Sequence, residues 1–215
     1  MGNSDLRRRL LQQTVSTGRL PAEYQEVEWI ESSGTQYINA NVNQQDAGFE
    51  VKFISYDEIS DSDYGCILGG RYASSNSDLE LNSYISTSHP TWSGTFRYGG
   101  SSQNYNAHLN PKGELNVIKY MNGTYTANGT DYSYSAGTIS TPRMIYLFAL
   151  HNNTSESGKA KVRMYYCKLY KQGELAADLV PCYRKADGVI GMYDLVQEAF
   201  RTNKGSGTFI KGGNV

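Results

Sequence analysis

Apolar and polar positions alternate with a period of two along most of this chain, which predicts strands rather than helices. In residues 27–39, VEWIESSGTQYIN, Val27 and Trp29 alternate with Glu28 and, further on, Glu31. Ser32, Ser33 and Gly34 break the pattern, and Gln36, Tyr37 and Ile38 resume extended chain. Two short strands about a polar corner form the entry of a sandwich, and residues 189–209 have the composition of a segment returning to pack on it. Residues 49–54 alternate cleanly, which turns Phe49, Val51 and Phe53 inward. Residues 66–72 and 79–85 read as the next strands and residues 95–98 as a short one. Residues 86–93 and 99–110 read as long polar loops.

Leu115 to Met121 leads into Asn122-Gly123, and Asn128-Gly129 follows. Asn-Gly is a strong hairpin signal because a type I′ turn demands positive φ at both central positions. The two turns predict a three-stranded meander ending near Ser135. Residues 144–150, MIYLFAL, are nearly all apolar and predict one central strand buried on both faces. Residues 161–170 alternate, with Val162, Met164 and Tyr166 on one side and Lys161, Arg163 and Lys168 largely on the other. Gly173-Glu174 turns the chain before a last long strand from Leu175 to Cys182. About a dozen short strands joined by Gly and Asn turns read as all-β, a two-sheet antiparallel jelly-roll sandwich.

Ahead of it, residues 4–13 suit a short amphipathic helix or a frayed extended tail. Leu6, Leu10 and Leu11 share one side and Arg7, Arg8 and Arg9 flank it. Two or three turns alone are marginal in water, so such a peptide orders by docking. The chain therefore divides into an anchoring peptide, residues 1–18, and a β-domain, residues 19–215.

Composition narrows the function classes. A chain of 215 residues suits one domain, and 18 Tyr, 6 Phe and 2 Trp supply a core with polar tips. Charged residues make up 19% and the net charge is -1, which gives no electrostatic footprint for nucleic acid. No apolar run approaches the roughly 18–20 residues of a membrane span. The three N-terminal arginines lack the apolar core of a secretory signal behind them. Cys66, Cys167 and Cys182 are odd in number and show no CxxC spacing, so buried free thiols are favoured over a Cys167–Cys182 bridge.

Several segments together carry a resemblance: LPAEYQEVEWIESSGTQYIN, ILGGRY, NVIKYMNGT and MYYCKLYKQGELAADLVPCYRKADGVIGMYDLVQEAFRTNKGSGTF. They resemble a concanavalin A-like, laminin G-like jelly-roll domain of phage virion proteins and gut-bacterial surface proteins. The likeness spans about residues 19–210 and is weakest over residues 73–110. It implies a carbohydrate- or receptor-facing module on a tail fibre, baseplate or capsid decoration, and no catalytic site.

The candidate chemistry follows from the loops. Sugar recognition combines an aromatic platform with planar amides and charges for hydroxyls. Trp92, Tyr98 and Tyr105 are the candidate platform, and His89, Arg71, Gln103 and Asn104 the candidate polar contacts. Core filling or an intersubunit contact is the competing role for Trp92. Asp57, Asp61 and Asp63, with Glu58, form an acidic loop without the glycine and terminal glutamate of an EF-hand. They read as a solvated loop or, as the resemblance implies for some such domains, a calcium site at a loop rim. Calcium is thus the one cofactor in view. Retaining glycosidases need two carboxylates roughly 5–5.5 Å apart, which those of the concanavalin A-like fold typically place on one strand, and Glu80 reads as alone in its own. The expectation is a non-enzymatic virion protein assembled in a host cytoplasm, anchored to other virion proteins by its N-terminal peptide. It is expected to be a homo-oligomer facing a host glycan, with pure decoration as the alternative and a surface adhesin or depolymerase after that.

Overall fold

The computed structural model describes residues 18–56, 65–72, 77–83, 94–99 and 105–215. Within them all regular structure is strand, arranged as two large, mainly antiparallel sheets packed face to face. The larger sheet begins with β11 (Thr130–Ser133), β10 (Thr124–Ala127), β9 (Leu115–Met121) and β4 (Ala47–Ser55). It continues through β15 (Val162–Lys171), β16 (Glu174–Arg184), β17 (Ile190–Asp194) and β18 (Ala199–Thr202). Three short strands close its margin: β1 (Tyr24–Glu26), β2 (Ile30–Glu31) and β19 (Ile210–Lys211). The smaller sheet runs β14 (Ser155–Ser157), β13 (Leu150–Asn152), β5 (Cys66–Arg71), β6 (Asp78–Asn82), β7 (Thr95–Tyr98) and β8 (Tyr105–Asn106). β12 (Met144–Leu147) joins β5 to β3 (Ile38–Asn43).

Period-two burial explains the core. Phe49, Val51 and Phe53 of β4 and Ile118 of β9 face Leu79 and Leu81 of β6 and Phe96 of β7 between the sheets. The expected meander is present: Asn122 and Gly123 adopt φ of 49° and 84°, and Asn128 and Gly129 φ of 51° and 86°. The expected return of the C-terminal segment is present too. Lys204 N donates to Tyr37 O at 2.8 Å, Gln36 Nε2 to Thr208 O at 3.1 Å, and β19 pairs with β2. Cys66, Cys167 and Cys182 are buried and free, and burial pushes all three thiols up, Cys182 to about 12. No helix of the described residues is long and apolar enough to cross a membrane.

Two elements depart from the alternation. The apolar run 144–150 is two strands, not one. The chain reverses at Phe148 (φ 65°), so β12 runs antiparallel to β5 and β13 parallel to it. Met144 is exposed and Tyr146 half-buried, so β12 is covered on one face only, whereas Leu147 to Leu150 are all buried. A left-handed phenylalanine is costly. Its ring is fully buried and packs 5.0 Å from Phe209, and its N–H donates to Ile67 O at 2.8 Å, which holds the reversal. In β15, Met164 faces Phe53 and Tyr166 faces Lys52, so Tyr165 is one extra residue, a bulge. The bulge switches parity: Val162 and Met164 point inward before it, Cys167 and Leu169 after it. Tyr166, expected inward, therefore lies on the outer face and donates its hydroxyl to Glu50 at 2.8 Å.

Candidate functional site

β8 is the terminal strand of the smaller sheet and β11 that of the larger, and the chain brings these two ends together. Between them lies an open groove of about 690 Å³. Tyr105, Tyr132 and Tyr134 line it, with Asp131, Ser133 and Thr124. The walls are set by strand register. Thr124 pairs with Ser133, which places two hydroxyls side by side, and Thr126 pairs with Asp131 and donates to its carboxylate at 2.6 Å. Asp131, Ser133, Ser135 and Thr124 are exposed.

The tyrosines are held from behind. The Tyr105 ring meets Tyr134 edge-on at 4.4 Å, and the Tyr134 hydroxyl accepts the Tyr98 N–H at 2.6 Å. Tyr132 stacks flat on His108, centroids 3.8 Å apart and planes 6° apart. His108 is placed by a left-handed turn (φ 48°) and by its N–H donating to Asn106 Oδ1 at 3.0 Å. Burial lowers the His108 imidazole from its ordinary value, which favours the neutral ring. Phe96 lies beneath all of this, 4.7 Å from Tyr134 and 4.6 Å from Tyr125, whose hydroxyl donates to Ala107 O at 2.7 Å. Fixed aromatic faces beside a carboxylate and several hydroxyls offer a sugar ring apolar contact and hydrogen bonds together.

The sequence-predicted residues fall in different places. Tyr105 is at the groove. Tyr98 lies on β7 rather than in a loop; it is 7% exposed, belongs to the core cluster, and lines a second recess with Tyr120 rather than the groove. Arg71 sits on the outer face of the smaller sheet and donates to Glu80 through Nε and, at 2.7 Å, Nη2. Glu80 is not alone on its strand. Asp78 and Asn82 share its face of β6, and all three are buried. Asn82 Nδ2 donates to Glu80 at 3.1 Å, so the oxygens of Glu80 are occupied as in a structural ion pair. Arg97 Nη2 lies 3.1 Å from Asp78 Oδ2 without hydrogen-bond alignment, and among the described residues neither Asp78 oxygen has a hydrogen-bond partner. Burial, partly offset by Arg97, raises the Asp78 carboxyl from its ordinary 3.8 to about 6.

His89, Trp92, Gln103 and Asn104 lie outside the described residues, as do Asp57, Asp61 and Asp63 and the peptide residues Leu6, Arg7, Arg8, Arg9, Leu10 and Leu11. Among the described residues no three His, Cys, Asp or Glu side chains converge as a metal site would require. Tyr132, Tyr134 and Asp131 were not singled out by sequence. Tyr and hydroxyl residues clustered on the last strand of a meander, and hence on an edge, are the signal that points to them. No family model matches this chain, and neither does any curated protein or solved structure.

Proposed function

We propose that this chain is a non-enzymatic virion module whose jelly-roll sandwich presents a glycan-binding face, anchored to other virion proteins through residues 1–18. One observation carries the glycan part: the open groove of Tyr105, Tyr132 and Tyr134 with Asp131 and exposed hydroxyls beside them. The resemblance of residues 19–210 to concanavalin A-like virion domains supports the virion part. Homo-oligomerisation fits this role, since weak single-site glycan contacts gain avidity when several copies engage one surface.

The test is a bacterial glycan array probed with the full chain and with Tyr105→Ala. The wild type is expected to bind, and the substitution to weaken binding about tenfold, the loss of roughly 1.4 kcal/mol of ring contact. Binding unaffected by Tyr105→Ala would move the site elsewhere. No binding to any glycan would leave decoration as the function.

A further inference from the structure

The tyrosine groove has a neighbour on the far side of the β9–β10 turn. Three tight turns converge there, each led by a polar residue with positive φ: Asp46 (51°), Asn122 (49°) and Gln172 (52°). Gln172 N donates to Asp46 O at 2.9 Å, which ties two of the turns together. All three residues are exposed and line a recess of about 400 Å³, within the range of small-ligand sites. Their side chains hold no hydrogen bond among the described residues. The floor is Tyr98 and Tyr120, ring centroids 4.9 Å apart.

The two cavities are continuous in chemistry and in chain. Asn122 lines the recess, and the next residue, Gly123, lines the groove, so the hairpin tip is their shared wall. Beneath both runs one row of rings: Tyr98 to Tyr120 at 4.9 Å, Tyr120 to Tyr134 at 5.7 Å, Tyr134 to Tyr105 at 4.4 Å. Each cavity offers one carboxylate, Asp46 or Asp131, beside amides or hydroxyls, and among the described residues no Lys or Arg lines either. Lys171, beside the recess, commits its ammonium to Asn43 Oδ1 at 2.7 Å and to Gln45 O. An anionic ligand would meet the Asp131 carboxylate in the groove and, in the recess, the Asp46 carboxylate partly offset by Lys171, which costs affinity.

We infer that the recess and the groove are two subsites of one path, and that the ligand is a neutral oligosaccharide long enough to cross the Asn122-Gly123 turn. The inference rests on the glycan-binding reading above. It adds chain length and charge: an internal stretch of a neutral polymer, rather than one terminal sugar or an acidic glycan. Occupying the second subsite is intramolecular once the first is filled, so affinity must climb steeply with length and then level off.

The experiment is calorimetric titration of the full chain with size ladders of neutral dextran, mannan and galactan fragments and with an oligouronate of matched length. Asp46→Gly with Gln172→Gly removes both recess side chains while glycine keeps the positive φ, and thermal melts confirm that this variant folds. For the wild type, affinity is expected to rise at least about tenfold between short and long fragments. The double variant should lose that rise while binding short fragments normally, and Tyr105→Ala should weaken every length. A rise that survives in the double variant, no rise with length, or tighter binding of the oligouronate would overturn the inference and leave the groove reading standing. Failure of the wild type to bind any fragment, neutral or acidic, would overturn both.

Discussion

Replacing Asp78 by asparagine is expected to stabilise the protein by roughly 3 kcal/mol at about pH 7.5 and to change little at about pH 4. Asp78 is fully buried on the outer face of β6, and the charged groups around it are Arg97 of β7, Glu80 of its own strand and Arg71 of β5. Burial outweighs the two arginines, so the carboxyl titrates at about 6 in the fold against an ordinary 3.8. A carboxyl whose folded value is raised holds its proton more tightly in the folded state. Its stabilising contribution is therefore complete below the ordinary value of 3.8 and is lost as pH rises through about 6. Asparagine keeps the shape and an acceptor for Arg97 but cannot ionise. Urea unfolding between about pH 4 and pH 7.5 checks this. The wild type should lose stability across that window and Asp78→Asn should not; parallel curves for the two proteins would show that Asp78 ionises without cost.

The second large effect is expected at Phe96. Its ring is 1% exposed and touches Phe49 at 5.8 Å, Tyr120 at 5.1 Å, Tyr125 at 4.6 Å and Tyr134 at 4.7 Å, so it joins both sheets to the back of the groove. Phe96→Ala removes a large buried ring where the surrounding sheets cannot close the gap. The cost should be about 3–5 kcal/mol, read from the denaturant midpoint. Phe96→Leu should recover much of the loss, because most of the volume returns. In the folded fraction of Phe96→Ala, glycan binding should weaken as well, since Tyr134 loses its backing and Tyr105 rests on Tyr134.

Much of the fold was legible because a half-buried strand writes its burial into alternate residues. Phe49, Val51 and Phe53 needed no more than that, and the meander needed only its two Asn-Gly pairs. Alternation fails where one residue breaks its count. The extra Tyr165 in β15 reverses the parity of every residue after it, and the mark it leaves in KVRMYYCKLY is slight: Lys168 falls on the parity of Val162 and Met164. The reversal at Phe148 carries no turn residue, because tertiary packing on Phe209 rather than local preference supplies it.

The site was legible in part for a different reason. Period-two reading separates the two faces of a strand but does not say whether an outer face is covered. Glu80 thus reads as alone in its strand, although it is buried beside the equally buried Asp78. Nor does it say which strand ends a sheet. Tyr105 stood out as an aromatic in a polar loop. Tyr132 looked like ordinary strand, and only the arrangement of β8 and β11 as neighbouring sheet ends gives it a place in the groove.

The central claim is that a glycan sits against the tyrosines between those two sheet ends. The most direct measurement is a titration of the full chain, labelled at its tyrosine rings, with neutral oligosaccharide while ring resonances are followed by NMR. The ring signals of Tyr105, Tyr132 and Tyr134 should move together and saturate, while those of Tyr166 and Tyr193, on the outer face and in the far core cluster, stay in place. Shifts confined to other tyrosines, or none at millimolar sugar, would contradict the account.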